Sequence, residues 1–154
     1  MTLLLLACAG SSAPEASAEL VQGERLDLGA SLAGKTLGVE NPITLPDPEG
    51  RYVILEAVRS ADWCPVCVGQ IRQWQEQTEA VEAAGAVLYV LSPDRPEALA
   101  AGIEKNELSA TIIPVDKSLW AEWGITNLDK DKLPHPSTFV VDPTGMVVFA
   151  ETNE

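Results

Sequence analysis

Basic residues are scarce in this chain of 154 residues. Lys and Arg number 10 against 23 Asp and Glu, which gives a formal net charge of -13. Because nucleic acid phosphates and anionic lipids attract clusters of positive charge, we expect neither as a partner. The acidic excess is typical of a solvated surface. With 46% hydrophobic residues, the chain is long enough for one domain with a core and too short for two ordinary ones.

Cysteine and histidine are also few, at 3 and 1 residues. Three cysteines do not make a disulfide framework. One cysteine pair with a single histidine is poor zinc coordination, since four ligands are wanted. The sequence therefore predicts no metal and no other cofactor. The closely spaced pair Cys64 and Cys67 needs a chemical explanation.

The sequence has no long apolar run, and the amino end has a short one. Residues 3–8 are Leu-Leu-Leu-Leu-Ala-Cys, which resembles the lipobox of bacterial lipoproteins, with Cys8 as the lipidated residue. No Lys or Arg precedes Arg25, and the run is shorter than the roughly 7 to 15 residues of a signal-peptide core. Either the true start lies upstream or this end is a flexible terminus. The first alternative predicts an extracytoplasmic lipoprotein anchored through Cys8, and the second a cytoplasmic protein.

We expect residues 1–22 to be a truncated signal and tether, and residues 23–154 to be the folded domain. Residues 26–28 and 36–39 are two short apolar pieces that suggest an edge hairpin. Strands are then expected over 52–58, 86–91, 112–115, 138–141 and 146–149, and helices after the cysteine pair, over 97–106 and over 118–123. Gly85 would end the first helix, and Asp-Pro-Thr-Gly at 142–145 is a tight turn. The pattern predicts an α/β domain with a central mixed sheet flanked by helices.

The segment Trp63-Cys64-Pro65-Val66-Cys67 lies where a predicted strand gives way to an amphipathic helix. At a helix N-terminus, free N–H groups and the helix dipole favour a thiolate, which would make Cys64 a nucleophile. Pro65 suits the first helical position, which needs no backbone N–H. Cys67, one turn later, could resolve a mixed disulfide. A CxxC motif in a β-α-β pattern predicts a thioredoxin-like redox site.

Residues 59–67, together with Trp-Gly-Ile at 123–125 and Pro-His-Pro-Ser-Thr-Phe-Val-Val-Asp at 134–142, resemble the alkyl hydroperoxide reductase and thiol-specific antioxidant superfamily. The resemblance implies a thioredoxin-like fold over residues 35–150. It also implies that Pro136 is a cis-proline that packs against the cysteine pair. His135 would adjoin the site, although a lone loop histidine is more often simply solvated. Relatives usually continue into a closing helix, which is missing here, so one sheet face would be thinly covered.

Other side chains near the motif have two interpretations each. Trp63 could cover one side of Cys64 or be ordinary packing. Arg59 could stabilise a thiolate, but a surface ion pair is the default, and Asp62 is expected to point outward. Glu56 could be a buried carboxylate that exchanges protons with Cys67, as thioredoxin-like enzymes often provide, but a solvated edge is the default.

The resemblance also fails at two positions. Typical peroxiredoxins have proline seven residues and threonine three residues before the peroxidatic cysteine, and here these are Ala57 and Ala61. Gln70 replaces the carboxylate that some extracytoplasmic thiol-disulfide reductases carry three residues after the second cysteine, which leaves proton transfer unassigned.

Three functions follow, in this order. The first is a thiol-disulfide oxidoreductase, with Cys64 as nucleophile and Cys67 resolving. The second is a peroxiredoxin-like peroxidase that uses the same cysteines, and the third is a lipid-tethered binding module with a structural disulfide. The expected partners of the enzyme are protein or small-molecule disulfides, or hydroperoxides, together with a thiol electron donor.

Overall fold

The computed structural model describes residues 22–154, so the predictions for Cys8 and the tether lie outside the described residues. Within them the strands are β1 Thr36–Leu37, β2 Ile43–Thr44, β3 Tyr52–Ala57, β4 Ala86–Ser92, β5 Ile112–Pro114, β6 Thr126–Asn127, β7 Leu133–Pro134, β8 Ser137–Val141 and β9 Val147–Thr152. The helices are α1 Pro65–Glu76, α2 Thr78–Ala83, α3 Pro96–Lys105 and α4 Ser118–Glu122. The β-α-β order and the final β8–β9 hairpin agree with the sequence prediction.

Five strands form the central sheet in the order β5-β4-β3-β8-β9. β3 pairs in parallel with β4, and β4 with β5, whereas β8 is antiparallel to both β3 and β9. The sheet is therefore mixed, as predicted. Its continuous apolar strand β4 lies second from one edge, and β3, which leads into the cysteine motif, lies at the centre.

Apolar side chains cover the two faces of the sheet in separate clusters. One cluster combines alternate residues of β3 and β8, such as Leu55 and Phe139, with Trp120 and Trp123 from the α4 region. The other lies under α1 and includes Cys67 and Ile71. Because strand side chains alternate between faces, β4 contributes to both clusters, Leu91 to the first and Val90 to the second. The second cluster is the one that supports the cysteine motif.

The helix expected between residue 64 and Gly85 is in fact two helices. The break is at Gln77, which has φ -100° and ψ 4° and ends α1. Gly85 adopts φ +73°, the left-handed conformation predicted for it. Glycine reaches this region without strain, so the chain can turn directly into β4.

The expected amino-terminal hairpin is wrong in its pairing. Leu26 belongs to no strand, and β1 pairs instead with β2, through Thr36 with Thr44 and Leu37 with Ile43. Leu26 donates its backbone N–H to the carbonyl of Trp123 at 2.9 Å, which places this segment beside α4. The backbone N–H of Leu26 thus bonds to a distant segment instead of to a hairpin partner.

The last strand leaves two large apolar side chains partly exposed. Val148 is 46% exposed and Phe149 is 44% exposed. In the described part of the chain, no helix combines the length and the apolar character needed to cross a membrane.

Candidate active site

Cys64 is the N-cap residue of α1, and Pro65 begins the helix, as predicted. The Sγ atom of Cys64 accepts a hydrogen bond of 3.3 Å from the backbone N–H of Cys67. The two cysteines form a disulfide, with their Cα atoms 5.3 Å apart. A free helical N–H thus points at the sulfur that the sequence assigns as nucleophile, in the geometry that stabilises a thiolate.

The cysteine pair is buried but has exposed apolar neighbours. Cys64 is 4% exposed and Cys67 is 1% exposed, whereas Trp63 and Val66 are 55% and 69% exposed. Trp63 is thus about half exposed, and its two alternative roles, a cover over Cys64 and ordinary packing, stay predictions. Trp63 and Val66 are two exposed apolar residues that flank Cys64 in the sequence.

Residues 58–63, here called the redox loop, connect β3 to Cys64. The carboxylate of Asp94, just after β4, accepts hydrogen bonds from the Ser60 hydroxyl at 2.9 Å and from the Ala61 N–H at 2.7 Å. The Ser60 oxygen in turn accepts the N–H groups of Asp62 and Trp63 at 3.0 and 3.1 Å. Ser60 and Ala61 are fully buried. The loop is thus fixed by a polar network rather than by apolar packing alone.

Helix α3 holds the same loop from the other side. Asn106, which caps α3, donates its side-chain N–H to the Ala61 carbonyl at 3.0 Å. Lys105 pairs with the Asp62 carboxylate at 2.9 Å. Asp62 is therefore paired rather than simply pointing outward. Gly102 lies so close that a Cβ atom there would be 2.7 Å from the Cα of Asp62.

Glu56 is the largest departure from the sequence prediction. The default of a solvated edge is wrong, because its side chain is 0% exposed. The Thr138 hydroxyl donates to one carboxylate oxygen at 2.6 Å, and the Gln70 amide donates to the other. Burial raises the pKa of Glu56 from 4.5 to about 7, although the hydrogen bond from Thr138 acts in the opposite direction.

Glu56 shares a layer with Cys67. It is paired in register with Val90 of β4, and Val90 and Cys67 belong to the same cluster beneath α1. Gln70, its hydrogen-bond partner, lies on α1 one turn after Cys67. Gln70 occupies the position where some reductases carry a carboxylate, and here it donates a hydrogen bond to the carboxylate of Glu56 on β3. The alternative that the sequence left open, a buried carboxylate, is the one the structure shows.

The expected cis bond before Pro136 is wrong. Among the described residues the cis peptide bond is Leu45–Pro46. The Pro136 carbonyl accepts the Asn153 N–H at 2.9 Å, so the chain enters β8 already extended and paired with the segment after β9. Its location still fits the prediction in part, since Ser137 pairs with Ala57, next to the start of the redox loop.

His135 and Arg59 lack the contacts that would tie them to the cysteines. The His135 backbone N–H donates to the Ile125 carbonyl at 2.7 Å, and none of the hydrogen bonds of residues 22–154 joins it to Cys64 or Cys67. Arg59 forms no ion pair within the same residues, and its Nε is buried without a hydrogen-bond partner. The surface pair expected of Arg59 is therefore wrong.

The sequence interpretation missed Asp94 and Ser60. Both residues are in the printed sequence, one in Ser-Pro-Asp after β4 and one in Arg-Ser-Ala-Asp before Cys64. A serine or aspartate at a strand end is a common turn residue that bonds nearby backbone groups. That signal predicts a local turn, whereas the contact between these two side chains spans 34 residues.

Comparison with known proteins gives one consistent result. The sequence model of the AhpC/TSA family matches residues 9–150. Chloroplastic peroxiredoxin Q of Sedum lineare is 29% identical over 123 residues, which cover 73% of this chain and 66% of that protein. The chain thus spans just under two thirds of that relative's length. These matches identify an oxidoreductase and favour it over a binding module.

Solved structures show the same fold at low identity. A mutant of Xylella fastidiosa PrxQ superposes with TM-score 0.71 at 16% identity, over 84% of this chain and 87% of that one. The thioredoxin domain of a Bacteroides vulgatus thiol-disulfide oxidoreductase superposes with TM-score 0.63 at 22% identity, over 84% and 91%. The thioredoxin-like fold is thus confirmed. With the family match over nearly the whole sequence, this chain belongs to the AhpC/TSA family of peroxiredoxin-like proteins.

Proposed function

We propose that this protein is a thiol-disulfide oxidoreductase that cycles between a Cys64–Cys67 dithiol and a disulfide. The Cys64 thiolate attacks a substrate disulfide, forms a mixed disulfide and releases the first substrate thiol. Cys67 then attacks the Cys64 sulfur, closes the internal disulfide and releases the second thiol. The substrate gains two electrons, and an external thiol donor returns the pair to its reduced form. The observation that carries the proposal is the Cys64 sulfur at the N-cap of α1, within bonding reach of Cys67.

The surroundings of Cys64 favour disulfide exchange over peroxide reduction. Ala61 occupies the position of the threonine that helps to hold peroxide in typical peroxiredoxins. Its N–H donates to Asp94, and its carbonyl accepts from Asn106. Ala57, at the position of the usual proline, is fully buried in β3. Neither residue supplies a polar group for a peroxide.

Glu56 supplies the proton transfer that the sequence left unassigned. Cys67 must lose a proton before it attacks the mixed disulfide. Glu56 lies in the same layer and has a pKa of about 7, so near neutral pH its carboxylate is populated and can accept a proton. Gln70 bonds to it from the helix that carries Cys67. We therefore assign Glu56 as the proton acceptor for the resolving step.

A trapping experiment tests this function. The variant Cys67→Ser keeps the nucleophile and removes the resolving thiol, so it should accumulate a mixed disulfide through Cys64 that mass spectrometry detects. Cys64→Ser is the matched control and should trap none. If neither a protein disulfide nor oxidised glutathione gives a Cys64 adduct with Cys67→Ser, the mechanism fails.

The second candidate is peroxide reduction, which the relationship to peroxiredoxin Q of Sedum lineare favours. Cys64 would be oxidised to a sulfenic acid with release of water or an alcohol, and Cys67 would condense onto it with loss of water. Stopped-flow oxidation of the reduced protein by hydrogen peroxide decides between the two. A rate no greater than that of free cysteine would exclude the peroxidase.

We further propose that Cys8 carries a lipid anchor and places the enzyme outside the cytoplasm of a bacterium. The support is the Leu-Leu-Ala-Cys sequence at 5–8. In a bacterial host fed a labelled fatty acid, the wild-type chain should take up label and Cys8→Ser should not. Equal labelling of both, or of neither, would contradict the anchor.

A further inference from the structure

A buried polar network lies directly before the nucleophile, and the proposed reaction does not use it. Ser60 and Ser92 are both fully buried. Their hydroxyl groups each donate to the carboxylate of Asp94, at 2.9 Å in both cases. Buried hydroxyl groups need partners, and a carboxylate is a strong acceptor. Asp94 thus joins the end of β4 to the redox loop.

The hydrogen bonds of this network converge on one side chain. Three consecutive backbone N–H groups precede Cys64, those of Ala61, Asp62 and Trp63. The first donates directly to Asp94, and the other two donate to the Ser60 oxygen, whose own hydrogen goes to Asp94. All three N–H groups are therefore held, directly or through one hydroxyl, by a single carboxylate.

We propose that Asp94 is a positioning residue that holds Cys64 at the N-cap of α1. It acts through Ser60 and the loop amides and does not touch the reacting sulfur. The Cys64 Sγ accepts the Cys67 N–H only while Cys64 keeps its N-cap conformation, which has φ -93° and ψ 100°. The inference rests on Cys64 being the nucleophile of the proposed function.

Replacing Asp94 has two opposite electrostatic consequences, which makes the test decisive. Removal of a negative charge by itself favours a nearby thiolate and lowers the pKa of Cys64. Loss of positioning moves the thiolate away from the helical N–H and the helix dipole, which raises the pKa of Cys64. The substitution leaves the charges of the loop and its neighbours, Arg59, Arg95 and the Asp62–Lys105 pair, unaltered. The sign of the change therefore separates the two effects.

Asp94→Asn is the most informative variant because the two side chains have nearly the same shape. The carboxylate oxygen Oδ2 accepts from the Ala61 N–H and from the Ser92 hydroxyl. An amide nitrogen at that position is a donor and cannot accept either bond. If the amide turns over, the nitrogen takes the Oδ1 position beside Ser60, whose hydroxyl then has only the oxygen at the Oδ2 position, 3.0 Å away, which Ala61 and Ser92 already use. In both orientations the network loses an acceptor.

The test measures the reactivity of the Cys64 thiol and not the rate of enzyme turnover. Reduced full-length protein is alkylated with iodoacetamide across a range of pH, and the modified peptide at Cys64 is quantified by mass spectrometry. With Asp94→Asn, Cys64 should titrate at higher pH, and its alkylation rate at neutral pH should fall about threefold or more, the size of a lost cap or dipole interaction. Ser60→Ala should act in the same direction, and the double variant should add little to Asp94→Asn, because both belong to one network.

Asp142→Asn is the matched control. Its carboxylate also accepts three hydrogen bonds, from the N–H and hydroxyl of Thr144 and the N–H of Met146. It follows Val141, which pairs with Val53 at the end of β3 remote from the redox loop. This variant should lose stability, as any broken turn does, but it should leave the alkylation profile unchanged.

Two results would overturn the assignment. An unchanged profile in Asp94→Asn means that the network is only structural, and a lower pKa means that Asp94 acts through its charge. If Asp94→Asn does not fold, Ser60→Ala decides by the same criterion. An unreactive wild-type Cys64 would instead refute the proposed function, and this outcome is distinguishable because it needs no variant.

Discussion

The hydroxyl of Thr138 on β8 donates a hydrogen bond of 2.6 Å to the carboxylate of Glu56 on the adjacent strand β3. The two residues are paired in register in the centre of the sheet, beneath α1. Glu56 is consequently a buried acid with a partner for each oxygen, since Gln70 serves the other. Such a group titrates at an unusual pH, and this has consequences for both stability and activity.

Glu56 makes folding depend on pH in a definite direction. Its pKa is 4.5 when exposed and about 7 in the fold, so between these values the folded state holds a proton that the unfolded state has released. Stability should therefore fall as pH rises from about 4.5 to about 7, by on the order of 3 kcal/mol from this group. Glu56→Gln should show a flatter curve, measured by urea unfolding at several pH values. Parallel curves for the two proteins would contradict the raised pKa, and Glu79→Gln on the exposed surface of α2 is the control.

The same substitution should alter the pH profile of catalysis. If the Glu56 carboxylate accepts the Cys67 proton, the rate of disulfide exchange rises as Glu56 ionises near pH 7. In Glu56→Gln this acid limb should disappear and the rate at neutral pH should fall by about a hundredfold, at the lower end of what general-base groups contribute. Single-turnover formation of the Cys64–Cys67 disulfide measures the resolving step directly. A variant with the wild-type profile would exclude Glu56 from proton transfer.

Replacement by alanine should change the stability of the protein in opposite directions at two helical glycines. At Gly102, a Cβ atom would lie 2.7 Å from the Cα and 2.8 Å from the Cβ of Asp62, so α3 and the redox loop must separate. We expect a loss of about 1–3 kcal/mol, as for other overpacked sites. At Gly69 in α1 nothing lies within 4 Å, so alanine should add about 0.5–1 kcal/mol through helix propensity. Thermal unfolding of both variants tests the pair, and destabilisation by Gly69→Ala would be unexpected.

The exposed surface beside the cysteines should matter for large substrates only. Trp63 is 55% exposed although it directly precedes a buried cysteine. Trp63→Ala should slow exchange with a protein disulfide by about fivefold or more, the cost of truncating an aromatic contact residue, while oxidised glutathione should react at nearly the same rate. Leu128→Ala, at an equally exposed apolar residue in the β6–β7 connection, is the control. Equal losses for both substrates would indicate that Trp63 acts on the cysteines themselves.

The sequence by itself determined the features whose causes are local. Cys64 caps α1 and Pro65 begins it because the spacing of the motif and the lack of an N–H in proline act within one turn. Gly85 ends the helical segment because only glycine adopts its φ of +73° without strain. The mixed sheet also followed from the order of apolar segments, since β-α-β connections place strands in parallel and a tight turn makes them antiparallel.

The tertiary structure decided what depends on distant residues. Alternation along β3 separates its side chains into two faces, but only the packing of α1 shows that the face of Glu56 is covered. The bond before Pro136 is not cis, and the Pro136 carbonyl pairs with Asn153, a partner that a local motif does not contain. The link from Asp94 to Ser60 exists because β4 lies beside β3 in the sheet. A hydrogen bond between residues so far apart in the chain forms only after the strands have paired, so no local pattern encodes it.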